Sequence, residues 1–255
     1  MSDRLWYDSF YDAVEKSKAY AAYCTQAFGR DFSQQGFCNM EQIAFMLEKV
    51  HLQPGGKVLD IGCGNGKMAE YIANTKSVSG YGFDISGAAI EAAHKRVAGK
   101  ANLFFSEGSI NDIRYGEQSF DAVFSVDTLY FADDLSKTLG EVLTWVKPGG
   151  YFAAFFSEFR FSGEDPLDKL TPHGTGLAKA FTDMRIPYDV YDFTKSHYDV
   201  MRRKKAVLSG MKQDFEAEGT MILYDNAFTE SVGEDMSYEE FLKFSARYLY
   251  VVRRD

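Results

Sequence analysis

The residues best placed to do chemistry gather in one short run, Lys57 to Gly66, which reads KVLDIGCGNG. Val58-Leu59-Asp60-Ile61 has the character of a short buried strand and runs straight into the turn Gly62-Cys63-Gly64-Asn65-Gly66. Glycine lacks a Cβ, so a ligand can approach the backbone closely there and the turn can use φ > 0. A helical pattern follows from Lys67 to Ala73, and a helix start offers unpaired N–H groups. The turn is GxGxG, not the GxGxxG step in which the helix start takes a pyrophosphate. With Asp60 just before it, the turn suits a ligand that carries an ammonium and a carboxylate and no phosphate. Asp84 ends the next apolar segment. A carboxylate is acceptor-only and matches the two donors of a ribose diol. The plainer alternative for Asp84 is a charge at a helix start.

These residues need a frame. A helical region is expected from about Tyr7 to Phe28, stopped by Gly29, and a second helix from about Asn39 to Val50. Pro54-Gly55-Gly56 then turns the chain into strand 57–61. Strands over 77–85, 102–107, 120–126 and 151–156 alternate with helices over 86–97 and 135–145, with Ser86 as an N-cap and Lys147-Pro148-Gly149-Gly150 as a turn. Five apolar strands interleaved with helices point to a parallel sheet covered on both faces, with ligands at the carboxyl ends of its strands. Beyond it come a helical stretch within 164–185, a strand over 188–193, a long helix from about 198 to 218, a loop through 225–235, a short helix and a last strand, Arg247–Arg253.

Composition narrows the function classes. The chain has 255 residues, enough for one large domain and a sizeable core. Its net charge of −9 argues against nonspecific nucleic-acid binding, which needs a positive surface. Aromatics make up 16% of the chain, so either an aromatic-rich core or an aromatic-lined pocket is expected. The three cysteines, Cys24, Cys38 and Cys63, form no CxxC pair, which suggests neither a disulfide framework nor a metal site and fits a reducing, cytoplasmic setting. The first residues lack a signal-peptide pattern, and no apolar run approaches the ~20 residues of a membrane span.

VLDIGCGNG, Asp84, FDAVFSVDTLYF and WVKPGG, in that order, resemble the motif series of class I S-adenosylmethionine (SAM) dependent methyltransferases. The resemblance implies an α/β fold: a Rossmann-like, doubly wound, seven-stranded sheet with strand seven antiparallel, an N-terminal helical cap, and a helical lid insert between strands six and seven. On that reading residues 1–56 form the cap and 57–160 the SAM-binding core. Residues 161–255 complete the core and carry the lid at about 194–243. The resemblance also implies that Gly62, Cys63 and Gly64 present backbone to the methionine portion, with Asp60 near its amino group. Asp84 would bind the ribose, Ile85 would pack on the adenine, and Ser109 and Ile110 would take its edge. Many relatives carry Asp at the position of Ser109. Val126 and Asp127 would lie beside the sulfonium. FGRDFSQQG is similar to the lid loop of phosphoethanolamine-type N-methyltransferases, which implies that Phe32, Ser33 and Gln34 close over SAM with Tyr20 or Tyr23 nearby.

The acceptor is less legible. Methyl transfer is an in-line displacement with an excellent leaving group, so alignment supplies most of the acceleration, and a base is needed only for a protonated nucleophile. Some related enzymes carry His after strand four, where this chain has Leu129-Tyr130-Phe131. Asp127 and Tyr130 are therefore the catalytic candidates, and Tyr20, Phe131, Tyr191 and Tyr224 the substrate-binding ones. Asp225, Asn226, Phe228 and Phe193 could join an aromatic and acidic pocket, since aromatics favour cationic amines. His173 and His197 could reach the acceptor but read as solvated loop residues, and Met201-Arg202-Arg203-Lys204-Lys205 reads as a solvated helix face. The expected function is SAM-dependent methylation of a small molecule, first at an amine nitrogen, in a monomer or homodimer. Neither nucleic acid nor a membrane is expected as a partner. The alternatives are O- or C-methylation, or SAM binding without catalysis.

Overall fold

The computed structural model describes residues 3–162 and 164–255; residues 1 and 2 of the expected cap, and residue 163, lie outside the described residues. The chain opens with three helices, α1 (Asp3–Val14), α2 (Lys18–Phe28) and α3 (Met40–Lys49). The single helix expected over 7–28 is thus two. Ser17 is extended, and its side chain accepts from the Tyr20 N–H to cap α2, a role a short hydroxyl performs better than helix continuation. Its partner arrives from far along the chain: Glu218 accepts from Ser17 Oγ at 2.7 Å and from the Lys18 and Ala19 amides at 3.2 Å.

Seven strands follow: β1 (Lys57–Ile61), β2 (Ser79–Asp84), β3 (Leu103–Glu107), β4 (Phe120–Val126), β5 (Val146–Phe159), β6 (Asp189–Asp192) and β7 (Ser245–Arg253). They lie in the order β3-β2-β1-β4-β5-β7-β6. β1 to β5 pair in parallel, while β7 runs antiparallel to both β5 and β6. The strand order reverses between β1 and β4, which opens the crevice where ligands bind in doubly wound sheets. The Lys147-Pro148-Gly149-Gly150 turn does not precede β5 but bulges from it: Phe120 pairs with Val146 and Ala122 with Tyr151.

Alternation along β1 explains both faces. Val58 packs with α3, α4 (Lys67–Lys76) and α5 (Gly87–Arg96). Leu59 and Ile61 point the other way, toward α6 (Leu135–Trp145) and α7 (Gly176–Asp183). Between β6 and β7 lie α8 (Thr194–Ser209), α9 (Lys212–Glu218), α10 (Met221–Thr229) and α11 (Tyr238–Phe241). The long helix expected over 198–218 breaks at Gly210, a poor helix former. The expected loop over 225–235 begins as α10, because Leu223, Tyr224 and Ala227 bury against α1 and α2 and outweigh the local Asp and Asn. The cluster they join draws on α1, α2, α8, α9 and α10, and it is separate from the two sheet-face cores.

Candidate active site

The site lies at the carboxyl ends of β1 and β4. A cavity of about 370 Å³ and a smaller one of about 70 Å³ adjoin there, sharing Tyr11, Gln35, Gly62, Val126 and Asp127. Asp60 lines the smaller one. Strand alternation buries its side chain to 1% exposure, and neither carboxylate oxygen has a hydrogen-bond partner among the described residues. Burial, and secondarily the Asp84 charge, pushes its pKa well above the ordinary carboxylate range, making it a weaker acid.

The glycine turn is held between two side chains. Gly62 has φ 69°, and a Cβ there would stand 2.3 Å from Thr128 Oγ1. Gly64 has φ 53°, and a Cβ there would stand 2.2 Å from the Tyr11 hydroxyl of α1. Both positions therefore demand glycine for conformation and for space. Asp84, at the end of β2, anchors the turn: its two oxygens accept from the Gly64 N–H at 2.8 Å and the Ser86 N–H at 2.9 Å. Burial raises its pKa, although those backbone donors oppose the shift. Each oxygen keeps lone-pair capacity for further donors.

This donor set fits SAM. Asp60 offers two unspent acceptors where an ammonium would lie, the turn gives bare backbone, and Asp84 retains acceptor capacity for a diol. Ile85, Ser109, Ile110, Val126, Asp127, Tyr130 and Phe131 all line the larger cavity, whereas Cys63, Gly64 and Gln34 line the smaller one.

Four of the expected site residues stand elsewhere. Ser33 turns toward the start of α4, where its Oγ accepts from Lys67 Nζ at 2.7 Å and its N–H donates to Asp31 at 2.7 Å. Tyr20 lies behind the loop, with its hydroxyl donating to the Gln34 carbonyl at 2.9 Å. Tyr191, on β6, packs against Phe45 of α3 with ring centroids 5.1 Å apart. Tyr224 stacks on Phe228 within the helical cluster at 5.5 Å. In each case another group claims the ring or hydroxyl: Lys67 and Asp31 for Ser33, a backbone carbonyl for Tyr20, and aromatic rings for Tyr191 and Tyr224.

Asp127 and Tyr130 border the cavity, but their polar groups are committed. Asp127 has φ 58° and forms a bidentate pair with the fully buried Arg247 of β7, one contact measuring 3.0 Å. The Phe37 N–H also donates to it, at 3.1 Å. Burial works against the charge on Arg247, and Asp127 more than offsets it, so the guanidinium stays protonated. The Tyr130 hydroxyl accepts from the Ser157 N–H at 2.5 Å and donates to Asp127 at 3.3 Å. Burial, then Asp127, raises its pKa, so it remains a phenol at neutral pH. Neither group is free to act as a base.

Two basic residues depart from expectation. His197 is no solvated loop residue: it lies in α8, fully buried. Lys204, within the run expected to face solvent, is 1% exposed and reaches Glu230 at 3.4 Å. Sequence reasoning also missed Tyr7, Tyr11 and Gln35 on the cavity wall, and Arg247 behind it. Tyr7 and Tyr11 are one helical turn apart, and Arg247 is a lone charge opening an apolar strand; both were legible signals.

Residues 59–154 match the family described as "Methyltransferase domain". Over that stretch the chain resembles methyltransferase domains, and its fold matches that of a solved methyltransferase. Among its relatives is phosphoethanolamine N-methyltransferase 1 of Arabidopsis thaliana, 27% identical over 234 residues, which are 86% of this chain and 46% of that protein. Sterol methyltransferase-like 2 of Botryococcus braunii is 33% identical over 107 residues, 41% of this chain and 28% of that one. The chain thus spans less than half the length of these curated relatives. Haemonchus contortus phosphoethanolamine N-methyltransferase 2, solved with phosphomonomethylethanolamine and S-adenosylhomocysteine, superposes with TM-score 0.72 at 17% identity, covering 96% of this chain and 60% of that one.

Proposed function

We propose that the chain transfers the methyl group of SAM to an amine nitrogen of a small molecule. The observation that carries this reading is Asp60, a buried carboxylate left without a partner beside a glycine turn that Asp84 ties down. Such a group calls for a cationic ligand atom. Asp60 would hold the cofactor's ammonium, and Asp84 its ribose. SAM supplies, when bound, an electrophilic methyl carbon on a sulfonium.

The protein's own part is alignment and exclusion of water. Holding the nucleophile in line is worth as much as ~7–11 kcal/mol. Tyr7, Tyr130 and Phe131 supply aromatic wall, and Tyr7 meets Phe131 edge-on at 5.9 Å. Aromatic faces favour cationic amines and sulfonium alike. Asp127 and Tyr130 act by fixing this wall, since the Asp127 charge is spent on Arg247 and the Tyr130 proton on Asp127. An amine sheds its proton to water before entry, so its methylation does not call on Asp127 or Tyr130 as a base, as a phenol or alcohol would. The likeness to phosphoethanolamine N-methyltransferase 1 over 86% of the chain supports the same choice.

Calorimetry with SAM tests the cofactor; no binding up to about millimolar SAM would overturn it. Turnover of SAM across a panel of amines, phenols and carboxylic acids tests the acceptor. Turnover on phenols or acids alone would replace N-methylation with O-methylation, and binding without turnover on any acceptor would leave a SAM-binding protein.

A further inference from the structure

Behind the cavity lies a buried basic cluster that methyl transfer as derived above does not use. Its centre is the ring of Phe37, a residue that lines the smaller cavity and donates its N–H to Asp127. Three basic side chains surround that ring. The His197 ring lies 4.7 Å away, edge-on; Lys204 Nζ lies 4.9 Å from the centroid and Arg247 Cζ 6.0 Å. His197 is 0% exposed, and neither Nδ1 nor Nε2 has a hydrogen-bond partner among the described residues. Phe37, Phe159 and Phe241 enclose it, and the charged groups facing it are Arg247 from β7 and Lys204 two turns along α8. Burial, then those two cations, depresses its basicity, so it is neutral as it stands. A buried imidazole with both nitrogens unpaired is costly and uncommon. It indicates a state in which a polar ligand replaces the Phe37 ring. Phe37 belongs to the irregular segment 29–39 between α2 and α3, so its ring can move without unravelling an element.

We propose that this cluster is an acceptor subsite for a carboxylate, entered by displacement of the Phe37 ring and accompanied by uptake of one proton on His197. The proposal rests on the amine-methylation reading and narrows its substrate to amines bearing a carboxylate. Charge selects the carboxylate over a phosphate ester. Lys204 is balanced by Glu230 and Arg247 by Asp127, so the surrounding pairs sum to zero. One added negative charge is neutralised when His197 gains one proton; a dianionic phosphate would leave a buried charge uncompensated. Protonated His197 donates to one carboxylate oxygen, and Lys204 has donors to spare for the other.

Binding is tested on the full chain saturated with S-adenosylhomocysteine, using N-methylglycine and β-alanine as carboxylate probes, phosphoethanolamine as the phosphate probe, and ethanolamine as the control that lacks an anionic group. Calorimetry in buffers of different ionisation enthalpy reads the proton uptake, and imidazole NMR reads His197. The carboxylate probes are expected to bind with uptake of close to one proton and to shift the His197 resonance. Their affinity should fall about tenfold per pH unit between the depressed pKa of the free imidazole and the raised pKa of the bound one. Ethanolamine should bind at least about tenfold more weakly. His197→Gln should lose about tenfold in carboxylate affinity and all proton uptake, while Phe37→Ala, which empties the subsite, should bind the same probes more tightly. The proposal falls if no carboxylate probe moves His197, if phosphoethanolamine binds and the carboxylates do not, or if His197→Gln binds them unchanged. A responsive His197 in a protein that methylates no amine would keep the subsite and sink the amine-methylation reading instead.

Discussion

Taking a carboxylate out of water destabilises a protein unless the group is protonated or meets a cation. Asp60 is 1% exposed with both oxygens unpaired, so the cofactor-free protein bears that cost. Its pKa is raised in the folded state, so the folded protein holds a proton that the unfolded chain releases. Stability is therefore greatest below the ordinary carboxylate pKa and is lost as pH rises from there through the raised value. Asp60→Asn should flatten that slope and raise the cofactor-free melting temperature at neutral pH, while weakening SAM about 10- to 100-fold, the loss of one charge-assisted hydrogen bond. Thermal unfolding against pH and calorimetry check the two halves. Arg247 is the opposite case, a buried cation fully partnered by Asp127, Ser157 and Gln42. Arg247→Met leaves Asp127 buried and alone, and should cost about 3–5 kcal/mol in urea unfolding. The double change with Asp127→Asn should recover part of it, because the stranded charge is gone.

The glycine turn works only with α1 on top of it. The Tyr11 hydroxyl fills the space where a Gly64 side chain would stand, and the Gly64 N–H is spent on Asp84. Gly64→Ala should therefore lift α1 as well as strain the turn, costing more than the ~1–2 kcal/mol of a left-handed non-glycine residue. Adding Tyr11→Phe should return the excess and leave the conformational cost, as urea unfolding of the single and double variants would measure. The same pairing shows where sequence was readable. β1, the GxGxG turn, β4 and α6 follow from apolar runs, glycines and a strong helical period, all local signals, and their boundaries match the structure. Tyr11 does not announce its partner, because the contact joins elements more than fifty residues apart. Nor does the break at Ser17, which depends on Glu218 arriving from α9, or α10, which forms in a polar stretch only because Tyr224 and Leu223 have α1 and α2 to bury against. His197 and Lys204 looked solvated for the same reason: a basic helix face is exposed until another element covers it.

The molecule as a whole is a sheet with two packed faces, and beside it a helical body built from both ends of the chain. That body reaches the cavity through α1, whose Tyr7 hydroxyl donates to Gln35 at 3.3 Å. Gln35 in turn donates to Glu230, just after α10, at 2.7 Å, and Glu230 faces Lys204 of α8. Tyr7, Tyr11 and Gln35 are thus the wall through which the helical body meets the cavity, and loosening that body at the 29–39 segment would widen the entrance. β5 and β7, joined along nine paired residues, have no part in that opening. Saturation at a hundred times the dissociation constant stabilises the closed state by about 2.7 kcal/mol, which slows exchange through ligand-incompatible openings about a hundredfold. Amide hydrogen exchange should therefore show that protection in α1, in 29–39 and in α8 to α10, with β5 and β7 changing only as far as global stability rises. Equal protection across the sheet and the helices would mean that SAM reaches its site without the helical body moving. Glu230→Gln, which weakens the Lys204 contact and the Gln35 hydrogen bond together, should speed exchange in α1 and α8 together in the cofactor-free protein, because one linkage holds both.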